Sequence, residues 1–158
     1  MTSMRYALTV IFSLMLALVL QLIPVSADWL PWKPNFLLLM VIGWVIFKPS
    51  QWGIGFAASV GLLADLVFRS PLGLHVFLFV FIGAAPYLLS GWLIYFNFIH
   101  RCFFVFILII FSELLGNFMY SVWGVPVDYR DVPLGAISSA VIWPLMDKFL
   151  VNVHNNRR

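Results

Sequence analysis

Phe103-Phe104-Val105-Phe106-Ile107-Leu108-Ile109-Ile110-Phe111 is an unbroken apolar run, and its reading decides the fold class. In lipid every backbone N–H and C=O must find a partner within the protein, so only helices and closed barrels cross a membrane. A barrel strand alternates lipid-facing and lumen-facing residues with a period of two. This run does not alternate, which leaves a helix. It lies inside a longer apolar stretch, about 102–123, enough to cover a hydrocarbon core about 30 Å thick. The whole chain has the same character. Of 158 residues, 63% are hydrophobic and 9% charged, where a soluble domain is about 25% charged. A soluble globule of this size exposes too much surface to hide that composition.

Outward from this stretch, apolar runs broken by turn residues and single charges predict six spans. They lie at about 6–23, 35–47, 52–68, 72–96, 102–123 and 132–151. The expected fold is an all-α polytopic membrane protein: one transmembrane domain over 1–158, a compact bundle of about six transmembrane helices. The second span is short and is read either as a crossing or as a bent, re-entrant piece. The fourth is long and interrupted by Gly83, Pro86, Ser90 and Gly91. The longest connections, 24–34 and 124–131, are too short to fold as domains. Val25-Ser26-Ala27 has the small-residue look of a signal-peptidase site. The apolar run before it is longer than a signal segment and Pro24 adjoins it, so the first span is read as retained.

The basic residues are single and sit at span ends, which is no nucleic-acid footprint. Arg5, Lys48, Arg101, Lys148, Arg157 and Arg158 fall on one side with Asp147. Lys33, Arg69 and Arg130 fall on the other with Asp28, Asp128 and Asp131. Cytoplasmic loops carry the excess of Lys and Arg, so both termini are expected in the cytoplasm. Trp29, Trp32, Trp52, Trp92 and Trp123 stand near span ends, where aromatic belts form. A single cysteine, Cys102, allows no internal disulfide.

Ionisable residues inside spans are costly and mark sites. Asp65 closes a face on which Gly53, Ala57, Gly61, Asp65 and Arg69 recur every fourth residue. The small residues permit close helix approach, either for internal packing or as a groove for a partner. Spacing predicts an Asp65–Arg69 pair that locks packing at the rim, with a polar site at the bundle mouth as the alternative. Ser70-Pro71-Leu72-Gly73-Leu74-His75 follows as a sharp corner, with His75 near the start of the fourth span. Glu113 is deeper, and Asn117 and Ser121 follow on its face, so this stripe must meet protein or a cavity. Lys33 and Asn35 open the second span. Gly135, Ser138, Ser139 and Ala140 give the sixth span a second small-residue face. Trp143-Pro144 is expected to kink that span. His75, His100, His154 and Cys102 lack metal-ligand spacing. No phosphate loop, zinc-protease motif or nucleophile pair is present. No catalytic, cofactor or metal residue is assigned.

Three of these motifs, in order, resemble the MreD family of rod shape-determining proteins. They are Lys33-Pro34-Asn35, then Gly61-Leu62-Leu63-Ala64-Asp65-Leu66 with Ser70-Pro71-Leu72-Gly73-Leu74-His75, then Trp143-Pro144. Lys33 stands where the family often has Arg, and Arg69 where a small residue is common. The resemblance implies a bacterial inner-membrane subunit with no chemistry of its own. It would bind an MreC-like single-span protein. Through it the chain would connect to MreB, RodA and a penicillin-binding synthase in lateral peptidoglycan synthesis. The family also resembles the S-component fold of energy-coupling-factor transporters. The alternative function is therefore a small-molecule, vitamin-like substrate-binding subunit of a transporter.

Overall fold

Every regular element among the described residues is helical. α1 (Thr2–Leu22) leads through a 3-10 helix (Ala27–Trp32) into α2 (Phe36–Phe47). α3 (Ile54–Phe68), α4 (Leu74–Leu88) and the single turn α5 (Ser90–Leu93) follow. α6 (Phe98–Val122) and α7 (Val132–Asn155) are joined through a 3-10 turn at Tyr129–Asp131. The computed structural model describes residues 2–49, 51–93 and 95–155. Among these, Ala27–Phe47, Phe98–Val122 and Val132–Val153 are helical stretches long and apolar enough to cross a membrane. Ala7–Leu22, Ile54–Phe68 and Leu74–Leu88 are shorter apolar helices.

α2 is the centre of the bundle. It is apolar on every side, and a helix of that kind is buried all round. Its residues from Leu37 to Val45 are all buried, enclosed by α1, α3, α4 and α7. Trp44 donates its indole N–H to Ser13 Oγ on α1 at 3.0 Å, and Ser13 donates in turn to the Val10 carbonyl at 2.8 Å. Gly43 faces Leu150 and the Trp143 ring of α7, and a Cβ there would collide with Leu150. Twelve helical residues rise about 18 Å. Only with the preceding 3-10 helix does the stretch reach 21 residues.

α3 and α4 pack as an antiparallel pair along the small-residue face. Gly53 lies against the Tyr87 ring, and Ala57 against Gly83. A Cβ on Gly61 would stand 2.6 Å from both the His75 carbonyl oxygen and the Val76 Cα. The face is thus filled by α4, and a partner helix seated there would have to displace it. The second small-residue face is turned inward too. Gly135 and Ser139 of α7 are buried, the first near the Pro31 carbonyl and the second bonded to the start of α2.

The stretch 72–96 is two helices and not one interrupted helix. α4 ends two residues after Pro86, and a turn restarts where the Trp92 and Leu93 N–H groups bond to the Leu89 carbonyl. The break falls at Leu89, just before Ser90 and Gly91, which are poor helix formers. α7 in contrast runs through Pro144 as one helix, with Trp143 fully buried.

Gly61→Ala is expected to destabilise the chain by about 1–3 kcal/mol, because the intruding methyl meets backbone that cannot rotate away. Gly55→Ala meets nothing within 4 Å and should stabilise by about 0.5–1 kcal/mol. Thermal unfolding of the detergent-solubilised pair checks both signs. Equal midpoints would show that the α3–α4 approach is not as close as described.

Candidate functional site

Pro71 biases Ser70 away from helix, and Gly73 sits at φ 100, so the chain turns sharply from α3 into α4. The first N–H groups of a helix have no intrahelical partner, and Gly73, at the N-cap of α4, has no side chain to offer one. Asp65 supplies it from α3. Its Oδ2 accepts from the Gly73 N–H at 2.8 Å and the Val76 N–H at 3.4 Å. Its Oδ1 accepts from the His75 N–H at 2.9 Å and the Ser70 hydroxyl at 2.7 Å. His75 Nδ1 lies 2.9 Å from Oδ1 and 3.0 Å from Ser70 Oγ. Asp65 is 1% exposed. A carboxylate at a helix N-terminus also meets the positive end of the helix dipole.

Arg69 does not pair with Asp65 as the four-residue spacing predicts. It adopts the left-handed conformation, φ 53 and ψ 32, that ends α3. Its side chain is exposed. Among the described residues the side-chain partners of Asp65 are Ser70 and His75. The His75 ring packs edge-on to Phe68 and Phe79.

Lys33-Pro34-Asn35 forms a second joint. Lys33 Nζ donates to the carbonyls of Gln21 and Ile23 at the end of α1, where the helix dipole favours a cation. Asn35 Oδ1 caps α2 by accepting from the Leu38 N–H at 3.1 Å. The Phe36 N–H donates to Gln21 Oε1, and the Asn35 N–H to Ser139 Oγ at 3.2 Å. Three helices, α1, α2 and α7, therefore meet within residues 33–36. Lys33 acts as a point cation on separate carbonyls, a task that needs no bidentate fork.

Glu113, Asn117 and Tyr120 of α6 line an open cleft of about 360 Å³, with Lys33, Asp128 and Gly135 also on its wall. The polar residues singled out in the sequence are thus divided among three places. Lys33, Glu113 and Asn117 meet at this cleft. Asp65 and His75 form the corner, and Asn35 caps α2. Arg69 joins none of them.

One joint was not read from the sequence. At the opposite rim Arg101 Nη1 of α6 lies 3.1 Å from Asp147 Oδ1 of α7, off the line of a hydrogen bond. The Arg101 guanidinium sits over the Phe47 ring, 5.5 Å from its centroid. The available signal was Asp147 itself, a lone acid on the basic side of the charge count.

Apolar helices tied end to end by buried polar joints define a polytopic helical membrane protein. The family model described as rod shape-determining protein MreD matches residues 1–153, and the chain belongs to that family. It is 29% identical over 140 residues to the rod shape-determining protein MreD of Haemophilus influenzae, covering 86% of this chain and 84% of that protein. No solved structure matches.

Asp65→Ala leaves the α4 N–H groups without an acceptor, at about 1–3 kcal/mol for each buried donor. It should therefore lower the unfolding midpoint far more than Asp28→Ala, at an exposed position. Asp65→Asn should fall between, since its amide accepts through one atom only. Arg69→Gly should raise stability by about 1 kcal/mol by relieving a left-handed non-glycine residue. Midpoints in one detergent, measured on all four variants, test the order.

Proposed function

We propose that this chain is a non-enzymatic scaffold of the rod-shape machinery. It spans the bacterial inner membrane six times with both termini in the cytoplasm. It binds an MreC-like single-span protein, which links it to MreB, RodA and a penicillin-binding synthase. The observation that carries this reading is how the polar residues are used. Asp65, His75, Lys33, Asn35 and Ser139 are spent on joining helices to one another, as are Arg101 and Asp147. A bundle built this way presents a fixed surface.

That surface is apolar and is widest on α1 and α6, with exposed aromatic residues at the rims. The faces of α3 and α7 rich in small residues are occupied internally, so the partner contact falls elsewhere. Trp29 and Trp32 are exposed between α1 and α2, and Tyr129 is exposed at the turn into α7. Large aromatic residues of this kind anchor interfaces.

Two measurements test the reading. In a rod-shaped host depleted of its own MreD-family protein, the chain should restore rod shape. Asp65→Ala should restore it poorly at matched expression, and Asp28→Ala fully. In a pull-down, Trp29→Ala with Trp32→Ala should stay folded and lose the MreC-like protein. Retention of that protein at wild-type level would move the contact away from this rim. A cysteine at Asp128 in a Cys102-free chain should react with an impermeant reagent in intact cells, and one at Asn152 should not. The reverse pattern would invert the topology.

A further inference from the structure

The Asp65 carboxylate and the Asp147 carboxylate each have a cationic or hydrogen-bonding neighbour. Glu113 has none. Among the described residues, the side chains of Glu113, Asn117 and Tyr120 make no hydrogen bond or ion pair, yet all three open on one cleft. Their spacing of four and three puts them on one face of α6. Glu113 lies roughly nine residues from the end of α6, about 13 Å below the rim. A carboxyl at that depth is costly, about 2.5–3.5 kcal/mol on insertion scales. A cationic or hydrogen-bonding partner in the cleft would offset that cost.

Size and charge narrow what that is. The cleft, about 360 Å³, is in the range of small-molecule sites, about 300–1,000 Å³. Lys33 lines it, but its ammonium is directed at the last carbonyls of α1. The Glu113 carboxyl is then the deep group without a partner of its own. Beside it stand an amide oxygen from Asn117 and the Tyr120 ring, whose face attracts cations. Pro31, Val125 and Val132 give apolar walls. Gly135 keeps the space open, since a Cβ there would lie 4.0 Å from the Glu113 carboxyl.

We propose that this cleft binds a small molecule bearing a primary or secondary ammonium group. The ammonium donates to the Glu113 carboxylate, and the apolar body lies against Pro31 and Val132. The inference goes beyond the scaffold reading and does not depend on it. The ammonium can come from a soluble amine or from an aminophospholipid headgroup, and the test separates them.

The full chain is placed in phosphatidylglycerol nanodiscs and its unfolding midpoint is followed against butylammonium chloride, with sodium chloride at equal ionic strength as the reference. A second arm compares nanodiscs containing phosphatidylethanolamine with nanodiscs containing phosphatidylcholine, whose quaternary nitrogen has no N–H to donate. A ligand that binds only the folded state raises the midpoint saturably. A saturable rise in the first arm assigns a soluble amine, and one in the second a lipid. In either case Glu113→Gln should bind at least tenfold more weakly. Gly135→Ala should weaken binding as well, because its methyl takes up cleft space beside the Glu113 carboxyl, and its ordinary contact distances preserve the fold. If Glu113→Gln does not fold, Gly135→Ala decides. No saturable rise in either arm overturns the proposal, and so does a rise that survives in the variants. Rod shape and partner pull-down are read separately, so failure here leaves the scaffold reading to its own tests.

Discussion

The first N–H groups of a membrane helix have no intrahelical acceptor and must find one elsewhere in the protein. α4 begins that way, and its own N-cap residue is a glycine with nothing to offer. Asp65 reaches across from α3 and takes the Gly73, His75 and Val76 N–H groups on its two oxygens. It can do so only because the two backbones approach closely. Gly61 and Ala57 are small for that reason. The small-residue face and the buried acid are parts of one device, since larger residues would lift the carboxylate out of reach.

The same solution recurs at the other joints. Lys33 meets the carbonyl end of α1, and Asn35 meets the N–H end of α2. Each places the charge or dipole that the local helix end favours. A chain with so few charged residues has little material for other purposes. This is why the polar residues cluster at turns, and why Glu113, which caps nothing, stands apart.

Much of the architecture was legible from local chemistry. Apolar run length and the lack of alternation gave the helical class. Pro71 and Gly73 gave the corner, because their backbone restrictions act within a few residues. The partner of Asp65 was not legible. Four-residue spacing pointed to Arg69, but that rule holds inside a continuous helix, and α3 ends at Arg69 in a left-handed turn. The true partners lie beyond the turn, at positions periodicity does not reach. The fate of the small-residue faces was hidden in the same way. Ala57 and Gly83 are far apart in sequence, and only the register of α3 on α4 brings them together. Arg101 and Asp147 were placed at one rim by counting charges, which carries no information on contact.

The burial of α2 bears on how the chain is made. Membrane helices leave the ribosome in order, and α2 precedes α7. Its final surroundings include Trp143 and Leu150 of α7, which are synthesised long after it. Until then one side of a short helix, bounded by Lys33 and Lys48, must rest against lipid or the insertion machinery. The wall that closes this side of the core is made long after the helix it covers, so a change in α7 is felt at the centre of the molecule as well as where it occurs.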